Sequence, residues 1–420
     1  MRLFVLVLSF AALGAAQSVT FYKDVLPVLQ RNCQTCHRPG EAAPISLLTY
    51  ENARPWAKAM KAAVLTGKMP WFAGEHSTEF SNDRTLPDAD RKALAAWADA
   101  GAPAGDAKDA PKPLEWAEGW VIGKPDVVFE PPSALPIPAS GTIEYQYVIV
   151  PTGFTEDKYI QFVETRPSDR AHTHHIVAYI RPPGSKWLQD YPAGAPFEPK
   201  NAKEGGSGQK EFFSAYAPGT IPERMKPGQA KLIRARSDVV FQLHYTANGK
   251  ASADLPKLGL IFAPQRPAER VQTVAAQNED FEIPAGAANF RLGATYKLER
   301  DATLVNLFPH MHLRGKSFEY RIVYPTGETE TVLTVPRYDF NWQLTYDLAK
   351  PREVPKGTVI EVTAWYDNSP SNPVNPDPSA VVHQGEQSWE EMLIGFFDIA
   401  YPLAPIASQQ AQLQVSYPAH

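Results

Sequence analysis

Val239-Val240-Phe241-Gln242-Leu243-His244-Tyr245 is dominated by β-branched and aromatic residues and carries one imidazole near its end. Such a run fits a pleated surface and reads as a β-strand. Tyr145-Gln146-Tyr147-Val148-Ile149-Val150 and Val359-Ile360-Glu361-Val362-Thr363-Ala364-Trp365 share its character. Turn signals such as Pro183-Gly184, Asn248-Gly249 and Pro325-Thr326-Gly327 separate runs of this kind. Strands at this frequency, with little helix between them, predict antiparallel sandwiches. Residues 115–420 exceed one typical sandwich. Two stacked, jelly-roll-like all-β domains are therefore expected at 121–270 and 271–420, with the boundary near 265–285.

Ahead of this region the pattern is helical. Phe21–Arg31 leads into a pair of cysteines, with Pro27 kinking or shortening it. Glu51–Thr66 carries Trp56, Met60 and Val64 at spacings of four, one face of a helix. Asp88 suits an N-cap for Ala89–Ala100, which would bury Leu94 and Trp97 and stop at Gly101. A small all-α domain is expected over 17–105. Gly101–Leu114 is rich in Ala, Gly, Pro, Asp and Lys without periodicity and reads as linker, giving a connection at 106–120.

The 420 residues, 44% hydrophobic and 21% charged, are ordinary globular composition with room for two to four domains. The 40 prolines against 26 glycines point to extended edges and loops. A net charge of −5 without a Lys/Arg cluster argues against a nucleic-acid partner. Residues 1–16 run from Arg2 through an apolar Leu3–Ala12 to Gly14, Ala15 and Ala16, the order of a secretion signal. The apolar run is shorter than the roughly 20 residues a membrane span takes. The mature protein is expected in the periplasm or outside the cell, with no integral membrane span.

Exported chains usually spend cysteines on disulfides. This one has two, both in Cys33-Gln34-Thr35-Cys36-His37, a C-x-x-C-H heme attachment pattern. Two thiols three positions apart can add to both vinyl groups of one heme c while His37 takes the iron. A redox dithiol is the alternative; His37 and the lack of a thioredoxin-like βαβ pattern argue against it. Met69, kept extended by Pro70, is the expected sixth ligand, and a thioether there would raise the potential. His76 is its rival. Val25-Leu26-Pro27, the C-x-x-C-H, Arg38-Pro39-Gly40 and Lys68-Met69-Pro70-Trp71 resemble the c-type cytochrome modules of bacterial secreted oxidoreductases over about residues 20–105. The expected fold class is thus multidomain: a small all-α cytochrome c domain followed by two all-β antiparallel sandwiches.

The remaining histidines fall largely in groups. His310 and His312 are two apart, so on a strand both side chains leave one face and can share an ion. His174 and His175 are adjacent and need a bulge or a strand end to do the same. By period alone His172 pairs better with His174. His244 offers a third imidazole. Three imidazoles without carboxylate suit zinc or copper, and a thioether favours Cu(I). The candidate thioether is Met392 in Trp389-Glu390-Glu391-Met392-Leu393.

Taken together and in order, His174-His175, Gln242-Leu243-His244-Tyr245, His310-Met311-His312 with Gly315-Lys316, and Glu391-Met392 resemble the copper type II, ascorbate-dependent monooxygenases. These include peptidylglycine α-hydroxylating monooxygenase and dopamine β-monooxygenase. The resemblance spans about 121–420. It implies one copper at His174, His175 and His244, which supplies an electron, and a second at His310, His312 and Met392, which activates O2. It also implies an electron donor (an ascorbate-like reductant or a redox protein) and a small organic substrate hydroxylated at a C–H bond. The sequence departs from the family's peptide enzymes where their substrate anchors would stand, with Phe308, Ile394 and Phe396 there instead. That apolar set implies a less charged substrate. Tyr245 and His383 are candidate supporting groups. A non-catalytic electron-transfer or copper-binding protein is the competing expectation.

Overall fold

The structure, a computed structural model, describes residues 19–41, 43–72, 78–116, 119–199 and 210–403. The expected secretion signal at 1–16 and the rival heme ligand His76 lie outside these residues. The chain divides into two compact units: residues 1–71 with 84–115, and residues 72–83 with 116–420. No helix among the described residues is long and apolar enough to cross a membrane.

The first unit corrects the expected all-α cytochrome c domain. Its helical pieces are brief, and among the described residues only Ala57–Leu65 and Asp88–Asp99 reach nine residues. Proline accounts for the breaks. Pro27 sits in the first turn of Leu26–Asn32, where its missing N–H costs nothing, so the preceding Phe21–Val25 becomes a separate π-turn. Pro55 likewise splits the expected 51–66 helix into Tyr50–Ala53, a 3₁₀ turn Arg54–Trp56, and Ala57–Leu65. Trp56 is consequently 43% exposed rather than packed. Pro87, not Asp88, holds the N-cap position of Asp88–Asp99, which does bury Leu94 and Trp97. Coil and turns carry the rest, around a core of Phe21, Val25, Leu29, Leu94 and Trp97.

The second unit has the sandwich character expected, arranged differently. Nine strands form one continuous sheet, in the order Val127–Phe129, Lys257–Phe262, Lys158–Arg166, Gln229–Ile233, Glu269–Asn278, Leu393–Pro402, Ala302–His310, Tyr346–Val354, with Glu223–Arg224 on the edge of Lys158–Arg166. One four-stranded sheet runs Gln146–Pro151, Asp238–Tyr245, Thr173–Arg181, Glu211–Tyr216; the other runs Phe290–Lys297, Val359–Tyr366, Gly315–Val323, Thr329–Val335. Phe129, Ile160, Val163, Ile176, Phe213, Phe241 and Leu258 form the core of the first half, taken from both of its sheets. Two independent sandwiches are thus replaced by two halves on a shared sheet. The join is a parallel contact of Glu269 with Gln229 and Arg270 with Ala230.

Candidate metal centre

His175 lies directly opposite His244 on neighbouring strands, Thr173–Arg181 and Asp238–Tyr245. The register slips between Thr173 and His175, so His174 is the extra residue of a bulge. That slip turns two adjacent imidazoles toward one point. A ring nitrogen from each of His174, His175 and His244 lies within 4.8 Å of the others. His174 Nδ1 and His175 Nδ1 are 3.1 Å apart. His174 Nε2 and His244 Nδ1 are buried without a hydrogen-bond partner, a state that costs about 1–3 kcal/mol per group unless a ligand meets it. Such a group could hold a metal ion.

His172 is not part of the group. Its Nδ1 faces Asp169 Oδ2 at 2.7 Å and its Nε2 faces the Lys250 carbonyl at 3.1 Å, so both ring nitrogens are engaged elsewhere. Tyr145 packs on the site instead, 4.5 Å from His244 and 5.4 Å from His175 between ring centroids. Tyr245 faces away, its hydroxyl donating to Asp254. His383 is exposed, 3.5 Å from Glu282.

The second pair ends the strand Ala302–His310. His310 Nδ1 meets Gln343 Oε1 at 2.8 Å, and His312 Nδ1 meets the Glu390 carbonyl at 3.3 Å. Each acceptor fixes the proton on Nδ1 and leaves Nε2 with its lone pair, as second-shell bonds do around metals. His312 Nε2 is buried and without a partner. His310 pairs with Ile394 at the end of the ladder, and Met392 lies just before the partner strand Leu393–Pro402. Glu391 ties the two segments together: its carboxylate accepts from the backbone N–H of His312 at 2.8 Å, Arg314 at 2.6 Å and Met392 at 3.3 Å. Tyr366 donates to the Met392 carbonyl at 2.8 Å.

Burial lowers the basicity of all five imidazoles. His174 and His310 fall to about 4 and His244 to about 3, while His175 and His312 lie well below the ordinary value, pushed further by neighbouring histidines. All are neutral at physiological pH, the form that ligates metal. The two groups face each other across Phe340, whose ring stacks on His174 at 4.4 Å and lies 5.9 Å from His312. Phe396 stands 6.4 Å from His310 and stacks with Phe308 at 5.7 Å; Phe212 joins them 4.7 Å from Phe396. Phe340, Gln343, Tyr145 and Phe212 gave no sequence signal of a role here, being common residue types without a motif; Glu391 stands out in the sequence only as the neighbour of Met392.

In the first unit, Cys33, Cys36 and His37 form a tight turn in which Cys36 N and His37 N both donate to the Cys33 carbonyl. Burial pushes the Cys33 thiol up to about 12. His37 Nδ1 lies 3.3 Å from the Ile45 carbonyl, leaving Nε2 as the ring nitrogen able to ligate iron. Met69 is half-buried, its N–H donating to Ala63.

No protein-family model and no curated protein matches the sequence. Among solved structures, the chain is similar to the VP2 subviral particle of infectious bursal disease virus at 9% identity and a TM-score of 0.20, covering 66% of this chain and 73% of that one. It is also similar to the major capsid protein P2 of bacteriophage PM2 at 7% identity and a TM-score of 0.25, covering 67% and 98%. A tandem CBM22 domain of Paenibacillus barcinonensis Xyn10C gives 9% identity and a TM-score of 0.13, covering 62% and 80%. Likenesses this slight carry no argument about fold or function.

Proposed function

We propose that this chain is an exported heme c and dicopper oxidoreductase, an O2-dependent monooxygenase that hydroxylates a C–H bond of an organic substrate. The observation that carries the reading is the convergence of three neutral imidazoles, buried His175 and His244 with half-buried His174, facing a second pair of half-buried His310 and buried His312. The donors fit copper: imidazoles alone in the first group, imidazoles with the Met392 thioether in the second. Copper would supply one-electron redox chemistry and O2 activation, and heme c held by Cys33, Cys36 and His37, with Met69 as the further candidate ligand, would supply single electrons.

The protein's own part is positional. The bulge at His174 and the ladder at His175 and His244 hold the first set. Gln343 and the Glu390 carbonyl orient His310 and His312, and Glu391 accepts from the backbone N–H groups of both His312 and Met392. Phe308, Phe396 and Phe212, each half-buried, form an apolar platform beside His310 that offers no cation for a carboxylate. That platform supports a weakly charged substrate.

Metal analysis of the purified chain tests the reading: one iron and two coppers are expected, with loss of one copper in His244→Ala and of the other in His312→Ala. Mass spectrometry across a panel of apolar C–H substrates should then find a product one oxygen heavier, dependent on reductant. Zinc in place of copper, or oxygen uptake indifferent to every substrate, would count against it. A second reading, a copper-binding electron carrier without substrate chemistry, is favoured by Phe308, Ile394 and Phe396 standing where peptide-hydroxylating enzymes hold their substrate.

A further inference from the structure

A single segment, residues 338–343, reaches both histidine groups. At one end Phe340 stacks on His174 with ring centroids 4.4 Å apart and planes 20° from parallel. At the other, Gln343 Oε1 accepts from His310 Nδ1 at 2.8 Å. The two contacts are joined within the segment, because Gln343 Nε2 donates to the Phe340 carbonyl at 3.2 Å. Tyr338 grips the residue between the second pair: its hydroxyl donates to the Met311 carbonyl at 2.8 Å and accepts from the Met311 N–H at 3.0 Å. Phe340 and Gln343 are 9% and 5% exposed, and Met311 is fully buried. A Cβ on Gly315 would come within 2.8 Å of both Met311 and Tyr338. The segment therefore has no slack on the side of the second pair.

We infer that Phe340 and Gln343 are positioning residues that couple the two groups, so that filling one with metal changes the affinity of the other. The inference rests on the metal-binding reading above. An ion drawn in by His174, His175 and His244 fixes the His174 ring. That ring fixes the face of Phe340, the Phe340 carbonyl holds the Gln343 amide, and the amide holds the tautomer and tilt of His310. Packed contacts of this kind shift between discrete arrangements rather than yielding continuously. The linkage is reciprocal by thermodynamic necessity.

Titration of the full chain with Cu(I) against a chromophoric chelator tests it. The second site's affinity is compared between wild type and His244→Ala, and the first site's between wild type and His312→Ala. Both ratios should be equal and in the range of about 5- to 150-fold. Phe340→Ala, Phe340→Leu and Gln343→Leu should bring both ratios to one while each still binds copper. Gln343→Glu is the discriminating variant. It keeps an acceptor for His310 Nδ1 but loses the donor to Phe340, so second-site affinity and its Cu(II) EPR signature should recover while the coupling does not. Wild-type ratios of one, or ratios unchanged in the Phe340 variants, would overturn the inference and leave the metal sites standing. Failure to bind copper at either group would remove the metal reading itself.

Discussion

Glu391 offers the sharpest test of how the second site is built. Its side chain is fully buried, and its two oxygens accept from three backbone N–H groups, at 2.6, 2.8 and 3.3 Å. The Arg314 guanidinium, itself buried between Asn368 and the Trp389 carbonyl, contributes opposite charge. Glu391→Ala removes every one of these acceptors. A buried donor left without a partner costs about 1–3 kcal/mol, and the 3.3 Å bond adds little. Burial pushes the Glu391 carboxyl up to about 8, so the loss comes from the two stranded amides, about 2–6 kcal/mol together. Glu391→Gln keeps one oxygen and turns an amide NH2 toward one backbone donor, so about 1–3 kcal/mol is expected. Urea unfolding measures both, with the midpoint falling and the slope unchanged. Amide exchange reports the mechanism: protection at His312 and Arg314 should fall ahead of the rest of the sheet. A loss under about 0.5 kcal/mol in the alanine variant, or full protection retained at those amides, would refute the clamp.

Three further outcomes follow from the same geometry. Apoprotein stability should fall as pH drops from about 6.5 toward 4, because unfolding lets each buried imidazole take up a proton that the folded form refuses. For His310, whose folded value is about 4, the integrated effect is on the order of 3 kcal/mol, and His310→Gln should flatten the melting temperature against pH. Gly315→Ala forces a Cβ against Met311 and Tyr338 and should cost about 1–3 kcal/mol in urea unfolding, with second-site copper weakened. His174→Ala should lose the first copper in metal analysis, whereas His172→Ala should keep it and lose only stability, since His172 holds Asp169 and the Lys250 carbonyl.

How much of this was legible depended on whether a feature is local. C-x-x-C-H and H-x-H are fixed by spacing, and the chain places His310 and His312 5.2 Å apart between ring centroids. The first group was readable only as an ambiguity. Strict alternation favoured His172 with His174, and a one-residue bulge, which no sequence period announces, selected His175. The helical estimate for residues 17–105 failed because prolines at 27 and 55 divided runs whose apolar spacing looked continuous. The shared nine-stranded sheet was out of reach for another reason. Its parallel join pairs Gln229 with Glu269, and the intervening chain pairs elsewhere, so no hairpin signal marks it.

That join bears on how the two histidine groups are spaced. Lys231, 1% exposed, sits beside it with its Nζ bonded to the Phe213 carbonyl and Glu223, and Thr273 and Asn306 both donate to Asp398 across the next strands. Hinging the halves apart would strip partners from a buried cation, at a cost of several kcal/mol. The halves therefore move as one, and the spacing of the two histidine groups is set by the sheet. What remains adjustable is the loops. His174 and His244 each lie one residue in from an end of their strands, His310 ends its own, and Met392 immediately precedes Leu393–Pro402. Each of these histidines has a ladder on one side and irregular chain on the other. Residues 338–343 and 384–391 supply that irregular chain at the second pair, through Gln343, the Glu390 carbonyl and Glu391. Opening the space between the groups thus means displacing the Phe340 ring from His174, a local event in a turn outside the strands.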